Sequence, residues 1–292
     1  TPTLRHNPSA QLVTYRRHNM LVDCGEGTQL QLRRYGISFA RIDHIFLSHL
    51  HGDHFLGLPG LLSTMALHSV EGDVTVHTFA EGVDILRPLI NAVCRERTYS
   101  LHWDVVEPGT TSTVFDDGSL RVTAFPLYHR VPCVGYRFDE VNKRRHIDRE
   151  SCDYYGVPNF LMNEIKDGAD LVLPDGVVVP NERLTTDPTP PASYAYCSDT
   201  AMDMRVAEAV KGVEVLYHES TYGDDGLHKA APRGHSTARQ AGEIARAAGA
   251  GTLVLGHYSK TIFDEARLAS EAAEVFDGKV IAGNEGIKID LA

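Results

Sequence analysis

Residues 48–54 read Ser48-His49-Leu50-His51-Gly52-Asp53-His54, and the apolar run Ile42-Asp43-His44-Ile45-Phe46-Leu47 leads straight into them. The β-branched and aromatic residues of that run predict a short buried strand. The cluster therefore stands where a strand ends and a loop begins, the place where α/β sheets present their functional loops. Three imidazoles and a carboxylate lie within six residues, His49 to His54. Gathered in a turn or at the start of a helix, they can converge on a divalent ion, since Zn²⁺ takes nitrogen and oxygen donors at about 2.0–2.2 Å. Asp53 can ligate a second ion on the far side of the cluster. The alternative is a histidine-rich surface turn.

Outward from this stretch the chain alternates. Met20-Leu21-Val22-Asp23 predicts a strand, Thr28 to Tyr35 a helix ended by Gly36, and Leu61 to Met65 part of a helix. Val74 to His77 predicts a strand, with His77 structural, and Glu81 to Val93 a helix kinked or broken at Pro88. Leu101–Val106, Thr113–Phe115 and Leu120–Pro126 read as strands, with Asp116-Asp117-Gly118 as a hairpin turn. His129 comes just past the last of these. In the C-terminal half, strands over 193–197, 213–218, 252–256 and 280–282 alternate with helices over 201–210, 236–248 and 264–276. Such alternation implies a sheet covered by helices. Residues 139–192 interrupt it with a charged stretch, two Asp-Gly turns and a Pro/Thr-rich segment, an excursion long enough to be functional or disordered.

Composition bounds the function. The 292 residues suffice for one large domain or two small ones, and no run of eighteen apolar residues predicts a membrane span. Cys24, Cys94, Cys133, Cys152 and Cys197 are odd in number and form no C-x-x-C pair, which points to buried packing in a reducing, cytoplasmic compartment. A formal net charge of −11 opposes nucleic acid binding over the surface as a whole. Binding needs only a local patch, however, and Arg33-Arg34, Arg95 with Arg97, or Lys143-Arg144-Arg145 could form one or be solvated faces.

The chain resembles the metallo-β-lactamase superfamily in His49-Leu50-His51-Gly52-Asp53-His54, and its ribonuclease Z branch in the surrounding motifs. These are Asp23-Cys24-Gly25-Glu26-Gly27-Thr28-Gln29, Gly57-Leu58-Pro59-Gly60, Ser198-Asp199-Thr200, His218-Glu219-Ser220-Thr221, His235-Ser236-Thr237 and Gly256-His257. The resemblance implies an α/β fold: a single four-layer αβ/βα sandwich over residues 1–292, with 139–192 as an inserted arm that grips tRNA. It implies two Zn²⁺ ions, with Mn²⁺ or another divalent ion possible. His49, His51 and His129 hold one, Asp53, His54 and His257 the other, and Asp199 bridges. Asp23 would orient a ligand histidine, and Asp53, His235 and Glu219 would be catalytic, His235 protonating the leaving 3′ oxygen with Glu219 beside it. The other reading of His235 is an ordinary residue before a Ser236 helix cap.

As a function, the resemblance implies a zinc-dependent endoribonuclease that removes the 3′ trailer from precursor tRNA by attack of a metal-activated hydroxide, leaving a tRNA 3′-hydroxyl. The alternative is a related phosphodiesterase acting on small or cyclic phosphodiesters; a scaffold that has lost its metals is opposed by the complete ligand set. Lys143, Arg144, Arg145 and Arg149 are the candidate RNA contacts, and a homodimer in which one arm serves the other's site is expected. The chain departs from the family pattern twice. Leu4 and His6 stand where basic residues are common, and Lys260-Thr261-Ile262 replaces an Arg-Tyr segment, leaving Lys260 or Arg267 to substitute.

Overall fold

Two-sided burial of short strands decides the architecture. The computed structural model describes residues 3, 5–141 and 143–291, so Leu4 lies outside the described residues. The N-terminal half runs β1 (Gln11–Tyr15), β2 (His18–Val22), α1 (Thr28–Arg34), β3 (Ile42–Phe46), α2 (Gly52–Phe55), α3 (Leu58–Leu67), β4 (Gly72–Thr78), α4 (Ala80–Val93) and β5 (Tyr99–Val105). These strands form a five-stranded sheet in sequence order. β1 and β2 are antiparallel, and β2 through β5 are parallel. Pro88 sits inside α4 without breaking it.

β6 (Ser112–Asp116), β7 (Leu120–Leu127) and β8 (Cys133–Glu140) open the second sheet. Between β8 and β13 the chain forms β9 (His146–Ile147), α5 (Arg149–Tyr154), α6 (Met162–Lys166), β10 (Leu171–Val172), β11 (Val178–Val179) and β12 (Thr185–Thr186). β13 (Ser193–Cys197), α7 (Met204–Ala209), β14 (Val215–Glu219), α8 (Leu227–Arg233), α9 (Ala238–Ala248), β15 (Thr252–Gly256), α10 (Glu265–Ala273) and β16 (Lys279–Ala282) complete the chain. The second sheet has seven strands in the order β16-β15-β14-β13-β8-β7-β6.

Apolar contacts divide into the layers of a sandwich. Leu21, Ile45, Val74 and Val76 turn outward onto Leu58, Leu61, Met65, Leu86 and Ile90 of α3 and α4. Met20, Val22 and Phe46 turn inward and meet Val122, Ala124, Tyr136, Phe138 and Tyr196 of the other sheet. Ala195, Leu216, Leu253 and Leu255 pack under Val206, Ile244 and Leu268 of the C-terminal helices. The order helix, sheet, sheet, helix is the four-layer αβ/βα arrangement. Each fully buried Leu or Phe contributes about 1.5–3 kcal/mol to holding the layers together.

Two expectations are corrected and a third is narrowed. Asp139 and Glu140 belong to β8, paired with Ser193 and Leu120, and do not begin the excursion. The excursion itself is ordered: Cys152, Val157, Ile165, Leu171, Val179 and Leu184 form a small core of their own. Helix α9 starts after Thr237, which caps it in a reciprocal box with Gln240, so Ser236 is not the cap; its hydroxyl donates to the Thr200 carbonyl at 2.7 Å. All five cysteines are free and buried, as packing residues should be.

Candidate metal centre

Strand directions bring the scattered ligands to one rim. β7 and β13 are both antiparallel to β8, hence parallel to each other, and β13, β14 and β15 run parallel. His129, Asp199 and His257 each come just past the end of one of these strands. From the facing sheet, β3 leads through Ser48 into His49 and His51, and the one-turn helix α2 carries Asp53 and His54.

Asp199 stands at the centre. Its Oδ2 lies 3.7 Å from His49 Nε2 and 3.8 Å from His129 Nε2. Its Oδ1 lies 3.2 Å from His257 Nε2 and 3.7 Å from His54 Nε2. One carboxylate thus addresses two nitrogen groups through its two oxygens. His49, His51, His129 and Asp199 offer ligand atoms all within 4.8 Å of one another, as do Asp53, His54 and His257. All seven expected ligands are therefore brought together in two adjoining groups.

The donor set fits a divalent-metal site. His54 Nε2 and Asp199 Oδ1 are buried without a hydrogen-bond partner, a costly state for polar atoms that a cation between them relieves. Burial opposes a charged His54, yet the Asp199 and Asp23 carboxylates outweigh it and lift its pKa to about 9. The site's demand for positive charge falls there on a proton. Burial, reinforced by His54, pushes His49 the other way, to about 2, so its imidazole is neutral and can ligate.

Outer contacts aim these ligands. Asp23 is wholly buried, with a left-handed backbone at φ 56°. Its Oδ1 accepts from the Ser48 N–H at 2.8 Å, and its Oδ2 from Ser48 Oγ, Tyr196 O–H and His54 Nδ1 at 2.9, 2.7 and 2.7 Å. His129 Nδ1 donates to the Gly234 carbonyl at 2.7 Å, which turns Nε2 inward, 3.2 Å from His51 Nδ1. Gly234 itself has φ 70°, and a Cβ there would come within 2.8 Å of that ring. His257 also takes a left-handed backbone, φ 56°.

Beside the metal ligands, Glu219 and His235 form a pair across sixteen residues, Oε1 to Nδ1 at 2.8 Å. Glu219 is fully buried and also accepts from the backbone N–H groups of Thr200 and Thr221, both at 3.0 Å, and from the Thr221 hydroxyl at 2.6 Å. Burial works against a charged His235, but the hydrogen bond and charge of Glu219 prevail and raise its pKa. Its Nδ1 stands 4.0 Å from Asp199 Oδ2. Sequence reasoning missed Thr221, Ser48 and Tyr196. Thr221 and Ser48 sit within or beside the motifs, but only the fold shows what their hydroxyls hold.

The four candidate arm cations are each engaged within the chain. Lys143 meets Glu140 at 2.8 Å, Arg144 meets Asp167 at 2.5 Å, Arg145 meets Asp187 at 2.6 Å and Arg149 meets Asp153 at 3.0 Å. Arg267 is held by Glu271 and Asp225 at 3.3 and 3.4 Å, whereas Lys260 is exposed near His257. His77, expected to be structural, is buried and hydrogen-bonds Asp104 at 2.8 Å.

Fold and site together define a metallo-β-lactamase-fold protein with a paired His/Asp centre. Residues 18–176 match the family described as Beta-lactamase superfamily domain. The chain is 45% identical to ribonuclease Z of Parabacteroides distasonis, covering 99% of this chain and 95% of that one. It is 42% identical to ribonuclease Z of Bacteroides thetaiotaomicron, covering 96% and 89%. The chain belongs to the ribonuclease Z family. Among solved structures, the short form of human tRNase Z superimposes with a TM-score of 0.69 at 23% identity, covering 100% of this chain and 95% of that one, which shows the common fold.

Proposed function

We infer that the chain is a metal-dependent endoribonuclease that removes the 3′ trailer from precursor tRNA, leaving a 3′-hydroxyl on the tRNA and a 5′-phosphate on the trailer. One observation carries this reading: near-full-length identity of 45% to a ribonuclease Z, which includes the arm as well as the metal rim. No comparable observation favours small or cyclic phosphodiesters.

The ligand set suits two Zn²⁺ ions, one toward His49, His51, His129 and Asp199 Oδ2, the other toward Asp53, His54, His257 and Asp199 Oδ1. When bound, such ions supply a nucleophile at neutral pH and offset charge on the phosphoryl oxygens. The protein does the rest. Asp23 and the Gly234 carbonyl engage Nδ1 of His54 and His129, so each turns Nε2 toward the centre, where a bound cation would take the place of the His54 proton. Glu219 holds His235 as an imidazolium by its Nδ1, leaving Nε2 to give a proton to the departing 3′ oxygen, as a general acid should. Glu219 can do this at no structural risk because all its other acceptor sites are filled.

The arm between β8 and β13, within one metallo-β-lactamase-like domain, supplies RNA affinity through Lys143, Arg144, Arg145 and Arg149. Their carboxylate partners exchange for phosphates on contact, a trade that suits recognition of double-helical RNA by backbone and shape. A homodimer lets one subunit's arm present substrate to the other's centre. The free, buried cysteines fit a reducing, cytoplasmic compartment. No described helix is long and apolar enough to cross a membrane.

The test is incubation with a 3′-extended tRNA, mapping the cut with and without chelator. A single chelator-sensitive cut at the 3′ side of the acceptor stem, with the stated end groups, is expected. Cleavage elsewhere, or cleavage indifferent to chelator, overturns the reading.

A further inference from the structure

A second group of histidines and carboxylates lies at the opposite end of the strands from the catalytic rim. His18 opens β2, whose other end leads to Asp23, and Asp43 and His44 lie near the start of β3, whose other end leads to His49. The β2–β3 register slips here: Asn19 pairs with Ile42 but Met20 with His44, so Asp43 is the extra residue of a bulge. Bulges re-aim side chains. This one brings ligand atoms of His18, Asp43 and His44 within 4.8 Å of one another. His18 is buried, and Phe115 of β6 closes the group from the other sheet, 5.2 Å from the His18 ring and 4.6 Å from the His44 ring.

Each of the three is held from behind. His77 Nδ1 donates to Asp104 at 2.8 Å, so its Nε2 accepts from His44 Nδ1 at 3.0 Å. That leaves His44 Nε2 as a lone pair with no hydrogen-bond partner among the described residues. His18 Nε2 donates to Asp117 at 3.2 Å, on the β6–β7 turn, and Asp43 Oδ1 accepts from the Asn19 N–H at 3.2 Å. His18 Nδ1 and Asp43 Oδ2 then face each other in a short hydrogen bond of 2.5 Å. A histidine fixed through one nitrogen, as His18 is by Asp117 and His44 by the His77–Asp104 pair, turns the other toward a ligand, the way proteins prepare metal-binding histidines. Burial, reinforced by His77, holds the His44 pKa down at about 4, so this nitrogen stays unprotonated at neutral pH. Arg17 Nε, 3.4 Å from His18 Nε2, opposes a cation, but Asp43, Asp117 and Asp104 outnumber it.

We propose that His18 Nδ1, Asp43 Oδ2 and His44 Nε2 form a further site for a Zn²⁺-class divalent ion, which takes the place of the hydrogen bond between His18 and Asp43. The N₂O donor set suits zinc, with a fourth position left to water. The site joins the two sheets through Asp117 and takes no part in hydrolysis, so its effect is on metal content and stability.

Metal-stripped Asp199→Ala protein, with its catalytic centre disabled, is titrated with Zn²⁺ and with Co²⁺. Bound metal is counted after gel filtration, and the visible absorption of Co²⁺ is recorded. His44→Gln in that background is expected to bind one ion fewer, to lose the corresponding Co²⁺ band and to lose the Zn²⁺-dependent rise in Tm. In the otherwise native chain His44→Gln also removes one ion and leaves cleavage of precursor tRNA unchanged. Asp43→Asn, nearly isosteric, repeats the comparison should His44→Gln not fold. Equal metal uptake with and without the intact trio overturns the proposal, whatever the outcome of the cleavage assay.

Discussion

Asp23→Asn isolates the aiming of a metal ligand from its presence. The substitution keeps volume and can keep the bond from Ser48 N–H to Oδ1. Its amide nitrogen then replaces Oδ2, the atom that three donors now address. Two of them adapt: Tyr196 O–H can turn to Ser9 Oγ at 2.8 Å, and Ser48 Oγ to Ser198 Oγ at 3.0 Å. His54 cannot turn away. Its Nδ1 must become an acceptor, which moves the proton to Nε2, the atom aimed at Asp199. Turning the amide over spares His54 but sets an NH₂ against the Ser48 N–H, a buried mismatch costing about 1–3 kcal/mol. Either way the loss matches what outer hydrogen-bond partners of ligand histidines are worth, about 10–100-fold in metal affinity, or about 1.4–2.7 kcal/mol. Competition against a chromogenic chelator reads the affinity, and circular dichroism checks the fold. A folded Asp23→Asn protein with native metal affinity would refute the tautomer argument.

Asp199→Ala, which removes the shared carboxylate, is expected to lower metal content and abolish hydrolysis; full occupancy with retained turnover contradicts the bridge. His235→Ala should slow cleavage of an unactivated RNA ester by about 10²–10⁴-fold and do far less to an ester whose leaving group needs no proton, so equal losses on both point to a structural role. Because Glu219 raises the His235 pKa above the ordinary 6.5, activity should fall as pH climbs through that raised value. Glu219→Gln should move this alkaline limb to lower pH, and an unmoved limb removes His235 as the acid. Replacing Lys143, Arg144 and Arg145 together by alanine should raise KM for precursor tRNA and flatten its salt dependence while a small phosphodiester turns over as before; native binding at physiological salt makes these cations a solvated face.

The catalytic rim was unusually legible because local and global patterns agree there. Ile42, Ile45, Phe46 and Leu47 are all buried, and a strand feeding a ligand loop leaves such a run even with Asp43 and His44 inside it. The strands at 193–197 and 252–256 have the bounds read from their apolar runs, since both are central in their sheet. β1 escaped notice because it is an edge strand, half exposed, and carries no clean alternation. β8 was obscured because its last residues, Arg137 to Glu140, merge with the charged stretch beyond them. Glu219 and His235 are far apart in sequence, so no spacing could reveal their contact. The grouping of His18 with His44 was hidden more deeply, since a bulge, invisible in one sequence, decides which way Asp43 points.

The arm leaves the second sheet at the end of β8 and returns at the start of β13, and these strands are neighbours. Asp139 pairs with Ser193, and the Glu140 N–H donates to the Ala192 carbonyl at 2.9 Å. Excising the segment between them leaves two adjacent antiparallel ends that a tight turn can join without disturbing any rung of the ladder. With its private core, the insert is a cassette, packed on itself and joined to the sheet at two neighbouring strand ends. On the proposed reading, the residues that contact RNA and those that hold the metal thus fold as separate units.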